Sequence, residues 1–141
     1  MDEIGNLSLE QIEETSWPDP PADATRLMRT VHELRRKPIR ELTPDDLRVL
    51  IRQREGLRAL LPRALELLAQ DPLAEGDYYP GDLLVAILEI PSSYQPENSI
   101  PAASMTEILQ NIERMGDPGQ HFAPHEEIWK AIHNFRADND N

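Results

Sequence analysis

The chain has 141 residues and a mass of 16.1 kDa, a size that fits one domain rather than two. It contains no cysteine, which excludes disulfide bonds, thiolate metal sites and cysteine nucleophiles. With 14 basic and 26 acidic residues its net charge is −12, which argues against nucleic-acid binding because phosphate contacts require basic side chains.

The charges are segregated along the chain. Residues 1–25 hold seven acidic and no basic residues, residues 26–63 have a net charge of +6, and residues 64–141 have −11. This order predicts salt bridges between the basic segment and its acidic neighbours within the fold. The remaining acidic residues predict an acidic outer surface, which would attract a cationic partner.

The first three predicted helices have recognisable starts. Ser8 with Gln11 three residues later predicts a capping box for a short first helix. Apolar residues at helical spacing between 24 and 34 predict a second helix that ends before Pro38. Thr43 predicts the N-cap of a third helix, with Pro44 in its first turn.

The middle of the chain is its most apolar part. After Gly56, leucines and alanines at helical spacing over residues 57–68 predict a fourth helix, in which Pro62 predicts a late start or a kink. Residues 83–88 are apolar on every side and fit either a buried helix or a buried strand. We favour the helix, because no second strand is present to pair with a lone one.

The last third alternates between loop and helix. Residues 91–101 predict a loop, Ser104 and Glu107 predict a second capping box, and Pro124 predicts the start of the last helix. We therefore expect an all-α fold, a compact single-domain bundle of about six or seven helices over residues 1–137, followed by a short polar tail at 138–141. No run of residues is long and apolar enough to cross a membrane, and the chain starts without an apolar signal core.

No motif indicates catalysis or a cofactor. The sequence has no glycine-rich phosphate loop, no nucleophile elbow and no paired-histidine zinc motif. His121 and His125 are four residues apart, but Pro124 between them places the helix start there, so the two rings do not share a helix face. With no third ligand evident, we expect no metal site and no cofactor.

Residues 71–84 form the most unusual stretch, with four acidic residues and two of the three tyrosines beside two glycines and two prolines. One interpretation is structural: Asp77 caps the next helix, Asp82 favours its start, and the tyrosines fill the core. The other is a connector that presents acids and aromatics to a cationic partner. The candidate contact residues are then Asp71, Glu75, Asp77, Tyr78, Tyr79 and Asp82.

Three blocks of the sequence resemble a known family. They are RTVHELRRKPI (29–39), LTPDDLRVLIRQREGL (42–57) and LPRALELLAQDPLAEGDYYPGDLL (61–84), with DPLAEGDYYPGDLL the most specific part. In their order they resemble the immunity proteins of bacterial contact-dependent growth inhibition (CDI) systems. Residues 91–141 carry no such resemblance.

The resemblance implies a cytoplasmic, non-enzymatic protein. Members of that family bind the C-terminal toxin domain of a large exoprotein and block it, and some of those toxins are ribonucleases of the ribonuclease A-like fold. The negative charge agrees with this, since the substrate cleft of a nuclease is basic. No catalytic residues carry over from the family.

Two other functions fit the same sequence. An acidic helical adaptor or regulator of a basic host protein shares the charge argument but predicts transient affinity. A small hydrolase that uses acidic residues with His121 or His125 rests only on scattered residues. Gene order discriminates the first from an immunity protein, whose gene should directly follow that of a large secreted toxin.

Overall fold

The computed structural model describes residues 4–95, 100–116 and 123–139, and these residues form an all-α fold as predicted. A 3-10 turn at Ile4–Asn6 precedes the first helix, and two others, at Ile39–Glu41 and Ser92–Tyr94, lie between helices. Within the described ranges the seven α-helices are α1 (Leu9–Glu13), α2 (Arg26–Arg35), α3 (Pro44–Arg52), α4 (Leu57–Gln70), α5 (Asp82–Leu88), α6 (Ala102–Met115) and α7 (His125–Asn139). No helix in these ranges has the length and hydropathy needed to cross a bilayer.

The predicted caps of α1 and α3 are confirmed. The Ser8 hydroxyl accepts the N–H of Gln11, and the Gln11 side chain accepts the N–H of Ser8 at 2.9 Å. Thr43 caps α3, Pro44 is its first residue, and Asp46 completes a second reciprocal box. Local side-chain hydrogen bonds thus set both helix starts, which is why the sequence reveals them.

The predictions for α4 and α6 have different outcomes. Pro62 predicted a late start or a kink: helix α4 begins at Leu57 and runs through Pro62, so the late start does not occur, and the kink stays a prediction. The apolar stripe from Leu57 to Leu68 is buried, and its burial offsets the one hydrogen bond that Pro62 cannot make. Helix α6 begins at Ala102, with Pro101 at its N-cap, so Ser104 lies within the first turn and caps nothing. Pro101 starts the helix earlier because its fixed φ suits that position.

Helix α5 is the centre of the molecule. All seven of its residues are buried, and it packs against α3 on one side and α7 on the other. The helical interpretation of residues 83–88 is therefore confirmed. Because Asp82 of α5 lies near Arg48 and Glu89 pairs with Arg52, α3 and α5 run in the same direction side by side.

The predicted pairing between the basic segment and both acidic segments is also confirmed. Most basic side chains of residues 35–52 form ion pairs with carboxylates from other parts of the chain or from the neighbouring turn. The pairs are Arg35–Glu13, Arg35–Glu55, Arg36–Asp19, Lys37–Asp46, Arg48–Asp45 and Arg52–Glu89. The N-terminal acidic segment is tied to α2 in this way.

Candidate partner-binding site

The candidate contact residues lie on the loop that joins α4 to α5, here called the 71–82 loop. The loop folds back on itself: the Gly81 N–H donates to the Leu73 carbonyl at 3.1 Å, and Glu75 and Pro80 form an isolated antiparallel bridge. Leu73 is buried in the core below, whereas Glu75 is exposed. Its own hydrogen bonds and the buried apolar residues 72–74 therefore fix the loop as a compact projection.

Asp82 supports this loop from beneath. One of its carboxylate oxygens accepts the N–H of Gly76 at 2.7 Å, and the other accepts the N–H of Tyr78 at 3.1 Å. Its side chain is only 3% exposed. Asp82 does begin α5, as predicted, but a partner cannot reach its carboxylate at the surface.

The N-cap of α5 is Gly81 rather than Asp77, so the predicted capping role of Asp77 is wrong. Gly81 has φ +96°, a left-handed conformation that L side chains rarely adopt, and a Cβ there would lie 2.9 Å from the Ile128 side chain. Asp77 lies four residues too early to reach the free N–H groups of α5. Its side chain is instead exposed.

A second carboxylate, from α3, holds the tip of the loop. Asp45 Oδ1 accepts the N–H of Asp77 at 2.9 Å and the Nε–H of Arg48 at 2.7 Å. Arg48 Nε also lies 3.8 Å from Asp82 Oδ2, so the arginine balances both carboxylates. Sequence reasoning missed Asp45 and Arg48, because no local pattern connects them with a loop some 30 residues later.

Close packing at Gly76 makes this arrangement possible. A Cβ at Gly76 would lie 2.7 Å from Asp45 Oδ1, 2.9 Å from Asp82 Oδ2 and 3.1 Å from the Cα of Asp45. The last of these is backbone and cannot move aside cheaply. Only glycine lets the loop approach both anchoring carboxylates so closely.

The two tyrosines of the loop have different environments. Tyr78 is 71% exposed, and its ring lies over the guanidinium of Arg48, with Cζ 4.4 Å from the ring centroid. The core interpretation is therefore wrong for Tyr78. Tyr79 is half-buried and packs against the core, so it fits the structural interpretation better.

The electrostatics of the loop link it to α7. Burial and then the nearby charge of Glu127 raise the pKa of Tyr79. Glu127 is exposed in the first turn of α7, and its neighbour Ile128 packs beside Gly81. We name the surface made of Glu75, Asp77, Tyr78, Tyr79 and Glu127 the Asp77 face. Asp71 lies at the base of the same loop, where its side chain accepts the N–H of Leu73 at 3.2 Å.

Two carboxyls at this face titrate in opposite directions. Burial alone would raise the pKa of Asp45, but the hydrogen bonds from Arg48 and from the Asp77 N–H, together with the Arg48 charge, lower it. The pKa of Asp77 is raised, first by its side-chain hydrogen bond to Asp45 and then by the charge of that carboxylate. The negative charge of Asp77 is thus repelled by the carboxylate of Asp45, which holds the Asp77 backbone.

Nothing in the described residues adds a metal centre. His32 packs edge-on against Trp17, with ring centroids 4.9 Å apart, and His133 is exposed on α7. Among the residues that the structure describes, no three His, Asp or Glu side chains converge as a ligand set. His121 and the side chain of His125, the pair considered from the sequence, lie outside the described residues.

Comparison with known proteins yields one match. A sequence profile of the CDI immunity proteins matches residues 11–104, about two-thirds of the chain. The matched range begins within α1 and contains α2 to α5 and the whole 71–82 loop, and it includes the three blocks that carry the resemblance. Searches of curated proteins and of solved structures found no match.

Proposed function

The chain belongs to the family of CDI immunity proteins, and from this membership we propose that its Asp77 face binds a cationic nuclease toxin domain and occludes the active site. The family supports a toxin-neutralising role through a non-enzymatic mechanism. Two parts of the proposal go beyond the family: that the toxin is a cationic nuclease, and that the chain inhibits it by occluding its active site.

The charge of the Asp77 face supports a nuclease target. Glu75 and Asp77 are exposed on the 71–82 loop, and the exposed Glu127 acts on the half-buried ring of Tyr79 in the same loop. A nuclease binds its substrate through phosphate contacts, so basic side chains line its cleft. Carboxylates held at fixed positions can occupy the places of phosphates and exclude RNA or DNA from the cleft.

The observation that carries the proposal is how firmly the loop is held. Asp45 and Asp82, from two helices, accept three consecutive backbone N–H groups of the loop, those of Gly76, Asp77 and Tyr78. A loop that is already ordered loses little conformational entropy when a partner binds. Slow dissociation, which permanent immunity requires, favours such a preorganised contact.

Tyr78 supplies an anchor beside the carboxylates. Its exposed ring has one face on Arg48, which fixes the ring without burying it. Tyrosine is enriched at the energetic centres of interfaces because it buries a large area at a small entropic cost. The combination of one fixed aromatic ring with flanking acids suits a basic cleft that has an apolar wall.

The test is co-expression of the full chain with the toxin domain encoded directly upstream, followed by gel filtration, titration calorimetry and a nuclease assay. We expect a stable complex of nanomolar or tighter affinity, loss of nuclease activity, and competition between the immunity protein and a non-cleavable substrate oligonucleotide. A complex in which the nuclease remains active, or from which the oligonucleotide is not displaced, would contradict occlusion. The absence of any complex would favour the acidic-adaptor interpretation.

A further inference from the structure

A second surface of opposite charge lies away from the Asp77 face. It is a cavity of about 710 Å³ between α1, the 3-10 turn Ile39–Glu41 and the first two turns of α4. Ile12, Ile39, Leu57 and Pro62 contribute apolar surface to it. Its other lining side chains include Arg40, Arg54, Arg58 and Arg63, and we name it the arginine pocket.

Three of these arginines lack a carboxylate. Arg63 lies 3.5 Å from Glu66, whereas Arg40, Arg54 and Arg58 form no ion pair with the residues that the structure describes. The other acid of the lining, Glu13, pairs at 2.7 Å with the buried Arg35. A protein with 26 acidic residues has ample carboxylates to neutralise three more arginines, so their convergence on one cavity indicates an external anion.

The start of α4 adds to the positive potential of the pocket. Gly56 is its N-cap and supplies no side-chain hydrogen bond, and the first turn contains no acidic residue. The first N–H groups of a helix lack intrahelical acceptors and carry a partial positive charge. Leu57 and Arg58, the first two residues of α4, line the pocket, so the helix end and the arginines act on the same space.

Arg54 is held over the pocket in a strained conformation. Its φ is +60°, in the left-handed region that L residues rarely adopt, and its guanidinium lies 3.9 Å from the ring centroid of Tyr94. Tyr94 itself is 52% exposed. Strain of this kind persists where the surrounding structure requires it, often at binding sites. The stacked pair fixes one positive charge at the rim.

We propose that the arginine pocket is a second docking site, which receives an acidic segment of the same toxin domain. The inference rests on the proposed function. A single phosphate or carboxylate ion would leave the apolar surface of Ile12, Ile39 and Leu57 exposed to water. A polypeptide segment could pair its carboxylates with the arginines and pack its apolar atoms against that surface. The occupant is therefore a polypeptide with two or more acidic side chains.

The positions of the two sites allow one domain to reach both. Asp45, which anchors the Asp77 face, is at the start of α3, and Arg54 follows the end of the same helix. The nine residues of α3 span about 13 Å at 1.5 Å per residue. A domain of about 100 residues is roughly twice as wide as that separation. The toxin would then meet an acidic and a basic surface at opposite ends of the α3/α5 pair, which fixes its orientation as well as its affinity.

The test is the double variant R40E/R58E in the full chain, titrated against the toxin domain. We expect Kd to rise about tenfold or more, because two favourable charges become repulsive. Arg58→Glu places an acid in the first turn of α4, where it favours the helix, and Arg40 is exposed, so the melting temperature of the double variant should be unchanged or higher. A melting temperature at or above that of wild type would exclude misfolding as the cause of the loss. The control is Arg26→Glu on the exposed first turn of α2, which makes the same charge change as either single substitution and should leave Kd within about twofold.

A photo-crosslinker in place of Tyr94 identifies the occupant. We expect it to join an Asp- or Glu-rich peptide of the toxin, and Lys substitutions in that peptide should restore affinity to R40E/R58E. A wild-type complex with an unchanged Kd for R40E/R58E, or a crosslink only to a second copy of this chain, would overturn the inference and leave the proposed function standing. Absence of a wild-type complex would remove both.

Discussion

The carboxylate of Asp45, in the first turn of α3, accepts the backbone N–H of Asp77 at 2.9 Å across 32 residues of chain. The same oxygen accepts the Nε–H of Arg48, so one carboxylate joins the loop to the helix that supports it. The backbone of Asp77 is therefore held by α3, while Asp82 of α5 holds its two chain neighbours. We therefore expect substitutions in α3 that disturb this hydrogen bond to weaken binding of the partner.

Asp45→Asn tests the anchor directly. We expect it to lower the free energy of unfolding by about 1–3 kcal/mol, because a charge-assisted hydrogen bond and its ion pair are lost at a partly buried site. Hydrogen exchange should accelerate at the amides of Gly76, Asp77 and Tyr78 and remain slow in α5. Urea denaturation measures the first effect and NMR the second. Asp23→Asn, at an exposed position outside this network, is the control and should change neither.

Gly76→Ala tests the close approach of the loop to both carboxylates. The added methyl group would clash with Asp45 and Asp82, and we expect a loss of about 1–3 kcal/mol of stability together with a weaker complex. Asp77→Ala places an alanine one residue further along, at an exposed position. Its fold should be at least as stable as wild type in the same urea titration. Equal stability of Gly76→Ala and wild type would show that the loop relaxes freely.

The parts of this fold that the sequence predicts are those set by local interactions. Ser8 with Gln11, and Thr43 with Pro44, lie within one turn of the helix they start, and their caps were predicted correctly. Residues 83–88 were predicted as a buried helix because a lone strand has no partner. The predicted cap at Ser104 is wrong because the N-cap of α6 is Pro101, three residues earlier.

The parts that it does not predict depend on contacts between distant segments. Asp82 was interpreted correctly as a helix-start residue, but nothing near it indicates that its side chain is buried under the loop. Tyr78 and Tyr79 are adjacent, and only their three-dimensional surroundings distinguish the exposed ring from the half-buried one. The arginine pocket is not predictable from the sequence for the same reason, since its lining joins residues 54–63 to Ile12, Arg40 and Tyr94, which are distant in the chain.

Arg35 and Arg36 are adjacent arginines whose contributions to stability should differ sharply. Arg35 is 1% exposed, donates to Glu13 at 2.7 Å, and lies 4.2 Å from the ring centroid of Trp17. We expect Arg35→Ala to cost about 2–4 kcal/mol, because it leaves a cavity and releases the N-terminal segment from α2. Arg36 is half-exposed, and Arg36→Ala removes its ion pairs with Glu10 and Asp19 and a 3.3 Å hydrogen bond to the Trp17 carbonyl, so it should cost less, about 1 kcal/mol.

Thermal unfolding and the fluorescence of Trp17 measure this difference. The Trp17 emission should shift to longer wavelength in Arg35→Ala and stay unchanged in Arg36→Ala, with Trp129→Phe as the background for both. Similar melting temperatures for the two variants would refute the central role of the buried arginine.

The pKa values of Asp45 and Asp77 predict a dependence of stability on pH. The lowered pKa of Asp45 stabilises the fold above the unfolded pKa, and this contribution is lost as pH falls through the folded pKa. The raised pKa of Asp77 acts oppositely: its contribution is present at low pH and is lost as pH rises through the folded pKa. Between the two, protonation of Asp77 relieves repulsion while Asp45 is still charged.

Asp77→Asn isolates the second effect. The amide cannot become charged, so this variant should be more stable than wild type near neutral pH; the difference should shrink as pH falls through the folded pKa of Asp77 and vanish below its unfolded pKa. Melting temperatures from about pH 3 to about pH 7 measure it. A difference that stays constant over this range would mean that the two carboxyls do not interact.

Charge reversal on the Asp77 face should slow association with the toxin domain. Asp77→Lys removes attraction where the toxin approaches, so we expect a lower association rate at low salt and a weaker dependence of that rate on ionic strength. Asp23→Lys changes the net charge by the same amount at an exposed position outside the face, and it should have a smaller effect. Stopped-flow measurements at about 20 mM and about 150 mM salt compare the variants across a large change in screening. If both variants slow association equally, the total charge of −12 governs encounter rather than this face; if wild-type association ignores salt, charge does not steer it at all.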